Sequence, residues 1–338
     1  MRPLLHPALV NGRFGDPAIY IETLFEKHAI LFDLGDIHAL SPRKIGRIEH
    51  IFVSHTHIDH FVGFDRLLRV LVGREKKINL YGPDGFIDRV RHKLHAYQWN
   101  LVDRYLCDLI FIVTELRVSG VSRTVRFRLK NAFADEELGQ HHVTDNILCC
   151  EPTFHVSATI LEHRTPCLAY LIEETAHVNI WKNKLVQLGL PVGPWLRDLK
   201  RAVVETQPNE YIIRIRGQSA TTGVCEMSLG ALREVLTVVA GQKIGYVTDV
   251  ADTVANREAI IRLVRGSDLL FIEAAFAEAD FVLAAERAHL TTRAAGHIAR
   301  MAGARCVEPF HFSSRYEGQE ARMLAEVMAA FSPEAEPS

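Results

Sequence analysis

A cluster of metal-binding side chains is the most informative feature of the chain. Within six residues the sequence places His55, His57, Asp59 and His60, directly after the apolar run 51–53. Side chains two residues apart on an extended chain point the same way, so His55 and His57 can bind one metal ion. Asp59 and His60 lie in the turn that follows and can reach a second ion. Imidazole and carboxylate together suit zinc or a similar cation.

A chance surface cluster is the alternative interpretation, because the chain contains 17 histidines. The flanking residues argue against it. Phe61, Val62 and Phe64 follow at once, so the chain returns into a core. The segment therefore predicts a two-metal site at the end of a buried strand.

Three further candidate ligands follow strand-like runs. They are His163 after the run 154–161, Asp249 after the run 244–248 and His311 after the run 306–310. A lone histidine at a strand end is more often a hydrogen-bonded core residue. Their order after the first cluster favours metal ligands instead.

The segment His-Thr-His-Ile-Asp-His resembles the HxHxDH signature of the metallo-beta-lactamase superfamily. Within it, the chain is similar to the ribonuclease Z family, which trims the 3′ ends of transfer RNA precursors. The matching segments are His163-Arg164-Thr165-Pro166, Thr248-Asp249-Val250, His289-Leu290-Thr291-Thr292 and His311-Phe312-Ser313-Ser314-Arg315-Tyr316. The resemblance runs from about residue 51 to about residue 316.

The chain departs from the family pattern at four places. The Gly-Thr-rich loop that usually follows the first strand of the family is missing, and residues 5–17 stand there instead. Thr248 replaces a glycine, Leu290 replaces a serine and Ser314 replaces a proline. None of these changes removes an expected metal ligand.

The resemblance implies an α/β fold, the four-layer αββα sandwich of the superfamily, in a single domain over residues 1–331. A protruding arm is expected within residues 177–205, and residues 332–338 are expected to form a frayed tail. Strand-like runs are predicted at 18–22, 29–33, 51–54, 78–81, 109–113, 124–129, 153–161, 168–172, 211–215, 244–248, 269–272 and 306–310. A last helix is predicted from one apolar face, formed by Ala321, Leu324, Val327, Met328 and Phe331.

The resemblance also implies roles for the site residues. His55, His57 and His163 would bind one divalent ion, Asp59, His60 and His311 the other, and Asp249 would bridge them. The ions are expected to be zinc, with manganese as the alternative. Two such ions lower the pKa of bound water from ~15.7 towards ~7, so that hydroxide attacks phosphorus. Asp59 would orient the nucleophile, and His289 would protonate the leaving oxygen.

The predicted arm carries five basic residues around a Gly/Pro-rich segment. They are Lys182, Lys184, Arg197, Lys200 and Arg201, around residues 188–195. In the family a similar arm grips the body of the transfer RNA, and Lys200 and Arg315 are our candidates for substrate contacts. An ordinary solvated helix and loop would have the same composition. The net charge of −2 requires such a local patch for RNA binding.

Composition is compatible with a folded cytoplasmic protein. The 338 residues are 48% hydrophobic, enough to fill a sizeable core. We expect no membrane span and no signal peptide. The six cysteines are scattered and are expected to be reduced. The resemblance also implies a homodimer.

Three functions remain open on the sequence. The first is an endoribonuclease that cleaves the 3′ trailer from transfer RNA precursors. The second is a small-molecule phosphodiesterase or other hydrolase of the same fold, which the missing N-terminal loop favours. The third, an RNA-binding protein without catalysis, would require the loss of a ligand, and none is missing.

Overall fold

The structure, a computed structural model, describes residues 4–24, 28–215 and 225–332. The strands in this part of the chain are β1 (Leu5–Leu9), β2 (Ile19–Thr23), β3 (Ala29–Phe32), β4 (Ile48–Phe52), β5 (Lys76–Pro83), β6 (Leu109–Leu116), β7 (Val121–Arg128), β8 (Asp135–His142), β9 (Ile147–Cys150), β10 (Phe154–Glu162), β11 (Pro166–Glu174), β12 (His177–Ile180), β13 (Ile212–Ile215), β14 (Cys225–Ser228), β15 (Leu236–Val239), β16 (Lys243–Val247), β17 (Leu269–Glu273) and β18 (Val307–Phe310).

The α-helices are α1 (Pro42–Ile45), α2 (Ile58–Phe61), α3 (Phe64–Leu71), α4 (Phe86–His95), α5 (Lys182–Gln187), α6 (Trp195–Val204), α7 (Leu229–Leu232), α8 (Val254–Leu263), α9 (Phe281–Arg287), α10 (Thr292–Met301) and α11 (Glu320–Phe331). Short 3-10 helices occupy Val102–Arg104, Leu129–Asn131, Arg233–Val235, Glu278–Asp280 and Ser314–Tyr316.

The chain folds into two compact units. Among the described residues, the first contains 4–24, 28–151, 155–173 and 242–332, and the second contains 152–154, 174–215 and 225–241. The segment 177–205, where we expected an arm, belongs to the second unit. Of the expected tail, residues 333–338 lie outside the described residues.

The first sheet of the first unit contains β1 to β8 in chain order. The central strands β3 to β6 run parallel, and antiparallel strands flank them on both sides. Helices α1, α3 and α4 pack on one face of this sheet. In α3 the buried residues are Phe64, Leu67, Leu68 and Leu71, at the spacing that places them on one side of a helix.

The second sheet has the order β18-β17-β16-β11-β10-β9. Helices α8, α10 and α11 cover one face of it through a separate apolar cluster. Aromatic rings fill the space between the two sheets: Phe32 of β3 lies 5.6 Å from Tyr170 and 5.4 Å from Tyr246. The expected four-layer αββα sandwich is therefore confirmed.

Strand β8 shows why some elements escaped prediction. Its sequence, Asp-Glu-Glu-Leu-Gly-Gln-His-His, is polar, and most of its residues are exposed. It is held at the sheet edge by antiparallel backbone pairing with β7, and two ion pairs, Arg123 with Glu137 and Arg126 with Glu136, lie across the same two strands. Strands β1, β9, β12, β14 and β15 were also missed, and β4 begins at Ile48, three residues before the predicted run.

The last helix is present, but the apolar face we expected is partly wrong. In α11 the buried residues are Met323 and Val327, while Met328 is 44% exposed. The reason is close packing on α10, where a Cβ at Gly296 would lie 2.3 Å from the carbonyl oxygen of Val327. This contact sets the rotation of α11 about its axis.

The second unit has its own small core. Two antiparallel pairs, β12 with β15 and β13 with β14, accompany α5, α6 and α7. Trp195, at the start of α6, is buried among Leu185, Leu199 and Leu232. Its indole N–H donates to the carbonyl of Pro191 at 2.8 Å, which fixes the Gly/Pro-rich turn before the helix.

Two further expectations can be compared with the structure. All six cysteines are free thiols. Among the described residues, no helix has the length and hydrophobicity needed to cross a membrane.

Candidate metal centre

The predicted ligands come together because they follow strands that end at the same edge of the two sheets. The segment after β4 carries the HxHxDH residues, and His163 follows β10. Asp249 and His311 come just after the parallel strands β16 and β18. In open α/β sheets, functional residues gather at the carboxyl ends of parallel strands.

The first group of donors contains His55, His57, His163 and Asp249. One possible ligand atom from each lies within 4.8 Å of all the others. The ring of His57 lies next to that of His55, with Nδ1 of His57 2.9 Å from Nε2 of His55. These four donors are the set that the sequence assigned to one ion.

The second group contains Asp59, His60 and His311, again with donor atoms within 4.8 Å of one another. Oδ2 of Asp59 lies 3.4 Å from Nε2 of His311 and 3.5 Å from Nε2 of His60. The second predicted set of ligands is therefore also brought together.

Asp249 lies between the two groups. Its Oδ2 is 3.6 Å from Nε2 of His55, 3.4 Å from Nε2 of His60 and 3.4 Å from Nε2 of His163, and its Oδ1 is 2.9 Å from Nδ1 of His311. Burial disfavours ionisation, but the positive charges of His311 and His60 outweigh it and lower the pKa of Asp249 well below its usual value. The carboxylate is thus ionised and in position to bridge.

Hydrogen bonds orient the rings of His163 and His55 so that one ring nitrogen of each faces the centre. Nδ1 of His163 donates to the carbonyl of Ala288 at 2.8 Å, which leaves Nε2 towards Asp249. Nδ1 of His55 lies 3.0 Å from Oγ of Ser54. Burial lowers the pKa of His55 to about 2, so its ring is neutral and its lone pair can bind a cation.

Asp33 is the orienting residue that sequence reasoning missed. It follows β3, is fully buried, and accepts hydrogen bonds from the Ser54 N–H at 2.6 Å, Ser54 Oγ at 2.8 Å, His60 Nδ1 at 2.7 Å and Tyr246 OH at 2.5 Å. A carboxylate that holds the distal nitrogen of a ligating histidine fixes its tautomer and orientation. The available signal was an acidic residue directly after the apolar run 29–32.

The loop that carries Asp33 is bound tightly to the HxHxDH segment. The Leu34 N–H donates to the carbonyl of His60 at 3.0 Å, and the Gly63 N–H donates to the carbonyl of Leu34 at 2.9 Å. A Cβ at Gly63 would lie 2.1 Å from the carbonyl oxygen of Gly35. Only glycine permits this approach, which holds His60 against Asp33.

The donor set fits two divalent metal ions. Nε2 of His60 is buried without a hydrogen-bond partner among the described residues, and its nearest carboxylate oxygens are 3.4 and 3.5 Å away. A buried polar atom without a partner is costly unless something binds it. Five imidazoles and two carboxylates suit zinc-class ions. Burial disfavours the charged form of His60, but the carboxylates of Asp249 and Asp33 outweigh burial and raise its pKa to about 10.

His289 lies beside this centre, as expected, but is held by a different group. Its Nδ1 is 3.0 Å from Oε2 of Glu273, which is fully buried and also accepts the Val250 N–H at 2.7 Å. Burial opposes protonation, but the Glu273 carboxylate outweighs it and raises the pKa of His289. His289 therefore carries a proton more readily than an ordinary histidine.

The centre opens into a cleft of about 800 Å³. Among the lining residues are three arginines, Arg164, Arg287 and Arg315. Of these, only Arg315 was a sequence candidate. Its guanidinium lies 5.9 Å from the ring centroid of Phe276, a second residue of the cleft. The cleft thus offers positive charge beside an aromatic surface.

The departures from the family pattern have structural counterparts. In place of the missing loop, Phe14 and Asp16 line the cleft, and Phe14 packs edge-on against Phe312 with centroids 5.4 Å apart. Oγ1 of Thr248 donates to Oδ1 of Asp249 at 2.9 Å. Leu290 is fully buried in the core beneath the second sheet.

Lys200, the other candidate for a substrate contact, lies in the second unit. It is exposed on α6 and lines a hollow of about 320 Å³ with Lys182 and Arg197. Leu185 and Leu196 form part of the same hollow. Three of the five basic residues of the segment 177–205 therefore line one hollow.

Comparison with known proteins agrees with the fold. Residues 31–178 match the family described as "Beta-lactamase superfamily domain". The structure of human tRNase Z, short form, superposes with a TM-score of 0.53 at 20% identity, over 93% of this chain and 92% of that one. Fold and site together define a metal-dependent hydrolase of the metallo-beta-lactamase superfamily.

Sequence similarity identifies the branch. The ribonuclease Z of Deinococcus radiodurans is 31% identical over 309 residues, which cover 90% of this chain and 88% of the relative. The ribonuclease Z of Rippkaea orientalis is 30% identical over 306 residues, covering 88% and 81%. The chain belongs to the ribonuclease Z family.

Proposed function

We propose that this protein is an endoribonuclease that removes the 3′ trailer from transfer RNA precursors with the help of two divalent metal ions. The observation that carries the proposal is the geometry of Asp249. Its carboxylate lies between two complete donor groups, beside the His289–Glu273 pair. Family membership supports the choice of RNA as the substrate.

The residues that would hold the ions are His55, His57 and His163 for one and Asp59, His60 and His311 for the other, with Asp249 shared. Bound divalent ions supply Lewis-acid chemistry: they make water more acidic and stabilise the charge that develops on a phosphoryl oxygen. Zinc is our proposal for both, with manganese as the alternative, because imidazole and carboxylate are common zinc ligands.

Asp59 is the proposed group that orients the attacking water. Its side chain is 36% exposed and lines the cleft, whereas Asp249 is only 3% exposed. Burial disfavours its ionised form, but the hydrogen bond with His311 and the charge of His60 outweigh burial and lower the pKa of Asp59 to about 2. The carboxylate therefore stays ionised and can accept a hydrogen bond from water.

His289 is the proposed general acid. The leaving alkoxide of an RNA phosphodiester needs a proton, and His289 holds one more readily than an ordinary histidine because Glu273 raises its pKa against the effect of burial. Nδ1 is occupied by Glu273, so the proton is donated from Nε2. Arg315 is the proposed contact for a phosphate near the scissile bond, since it lines the same cleft.

The second unit supports RNA over a small phosphodiester. Lys182, Arg197 and Lys200 gather exposed positive charge on one surface hollow, although the net charge of the whole chain is −2. Contacts to RNA phosphates need such local clusters. A small phosphodiester would need only the cleft of the first unit.

Cleavage of a transfer RNA precursor with a 3′ trailer is the test. We expect a cut after the discriminator base in the presence of zinc or manganese, no cut after chelation, and no cut by Asp249→Ala. Glu258→Gln, which changes an exposed carboxylate on α8, is the matched control and should cut normally. Intact RNA together with metal-dependent hydrolysis of bis-p-nitrophenyl phosphate would overturn the RNA assignment and favour the small-molecule phosphodiesterase.

Two finer points belong to the same proposal. We expect a homodimer, as the family resemblance implies, and a cytoplasmic location, where transfer RNA precursors are processed. Light scattering on the purified protein tests the first point. A monomer at working concentration would contradict it.

A further inference from the structure

A second cluster of metal-binding side chains lies at the other end of the first unit's sheets. It consists of His50 on β4, Cys149 on β9 and Glu151, which directly follows β9. One possible ligand atom from each lies within 4.8 Å of the other two. None of these residues belongs to the centre described above. His50 precedes His55 by five residues, so the cluster is about 16 Å away along an extended strand.

The geometry points to a third metal site. We propose that His50, Cys149 and Glu151 bind a zinc-class ion through one nitrogen, one sulfur and one oxygen. Bond lengths of ~2.0–2.3 Å in a tetrahedral zinc site place the ligand atoms about 3.3–3.8 Å apart. Sγ of Cys149 lies 3.7 Å from Nδ1 of His50, whereas Oε1 of Glu151 lies 3.5 Å from Nε2, the other nitrogen of the ring, so each neighbour is at ligand spacing from a different nitrogen.

The imidazole presents different nitrogens to its two neighbours, so one side chain has to turn when an ion binds. Glu151 is free to do so, because its side chain is 39% exposed, whereas those of His50 and Cys149 are 5% exposed or less. Two ligands are therefore fixed by the core, and the third is supplied from the surface. Water can occupy the fourth position of a tetrahedral ion.

The surroundings suit a cation of this class. The hollow beside His50 has a volume of about 580 Å³ and is lined by the carboxylates of Glu49, Glu75 and Glu151. Lys76 and Lys77 also line it, and Lys76 lies 3.4 Å from Glu49. Three carboxylates against two ammonium groups leave an excess of negative charge.

The chemistry of the donors separates this site from the first centre. That centre offers imidazole and carboxylate, whereas the third site adds a thiol, which loses its proton when the ion binds. A thiolate favours zinc over magnesium or calcium. The ion would also join β4 of the first sheet to β9, the edge strand of the second.

Metal counting on the full chain tests the proposal without any reference to nuclease activity. We expect three equivalents of zinc per chain after extensive loading, and a thiolate-to-metal charge-transfer band when cobalt replaces zinc. In Cys149→Ala the count should fall to two and the band should disappear. Cys150→Ala is the matched control: this neighbour is exposed, and it should keep both signals.

Glu151→Gln gives a second variant that leaves the core intact, and it should weaken binding of the third ion about tenfold or more. A count of two zinc equivalents per wild-type chain, without a thiolate band in the cobalt form, would overturn the third site. His50, Cys149 and Glu151 would then form only a polar contact between the two sheets. A band that persists in Cys149→Ala and is lost in Cys167→Ala would also overturn the site, because Cys167 lies 3.8 Å from His55 in the first centre.

Discussion

Replacing Asp33 with asparagine tests how much a residue that orients a candidate ligand, but is not itself one, contributes to metal affinity and stability. Asparagine has nearly the same shape, but it has one acceptor oxygen where aspartate has two. Oδ2 of Asp33 accepts from Ser54 Oγ, His60 Nδ1 and Tyr246 OH, and Oδ1 accepts from the Ser54 N–H. The least costly arrangement keeps the oxygen at the Oδ2 position.

In that arrangement the new NH2 group opposes the Ser54 N–H, and one buried donor loses its partner. Such a loss costs about 1–3 kcal/mol of unfolding free energy. His60 keeps a neutral acceptor but loses the negative charge that strengthens its hold on an ion. Loss of an orienting carboxylate lowers metal affinity about 10–100-fold, or about 1.4–2.8 kcal/mol.

Both quantities are measurable on the same preparations. Competition with a chelator gives the affinity of each site, and denaturant unfolding in excess chelator gives the stability of the metal-free protein. Asp36→Asn is the matched control, because Asp36 is an exposed carboxylate three residues further along the same loop. Wild-type affinity at both sites in Asp33→Asn would refute the orienting role of Asp33.

Three other variants test separate parts of the molecule. His289→Ala should lower kcat about 10²–10⁴-fold while two ions stay bound at the first centre; loss of an ion would make it a ligand instead. Burial disfavours the ionised form of Glu326, but hydrogen bonds to its carboxylate outweigh burial and lower its pKa. The stability that this carboxylate contributes is therefore complete above its pKa in the unfolded state and is lost as pH falls through its pKa in the folded state. Glu326→Gln should therefore be less stable at neutral pH and lose less stability on acidification; identical unfolding curves against pH would contradict this. Replacing Lys182, Arg197 and Lys200 with alanine should raise KM for the RNA precursor and reduce its salt dependence, with hydrolysis of bis-p-nitrophenyl phosphate unchanged; equal effects on both substrates would count against an RNA role.

The candidate ligands could be predicted because each follows an apolar run and because their order along the chain matches the family pattern. HxHxDH is a local pattern, and His163, Asp249 and His311 each follow a strand that reaches the same edge of a sheet. Hydrophobic runs and strand ends are visible in a sequence, whereas the assignment of these residues to two donor groups came from the resemblance to the family.

The parts that could not be predicted depend on contacts between distant segments. Asp33 is an ordinary acidic residue in the sequence, and its role arises from the approach of Ser54 and Tyr246. Arg164 and Arg287 are far apart in the sequence and line the same cleft only in the folded chain. Strand β8 lacks the apolar alternation by which strands are recognised, since backbone pairing with β7, rather than burial of alternate side chains, holds it in the sheet.

Two neighbouring strands of the second sheet, β11 and β16, are hydrogen-bonded to each other although residues 175–242 separate them in the chain. Most of the second unit is therefore inserted in the chain between these two strands. This insertion affects the order in which the candidate ligands become available during synthesis. A growing chain has completed the HxHxDH segment long before β16 and β18 exist, so it cannot yet present Asp249 or His311. A ribosome-bound intermediate therefore holds at most a partial set of ligands, and nuclease activity appears only after the final strand has been made and has joined the sheet.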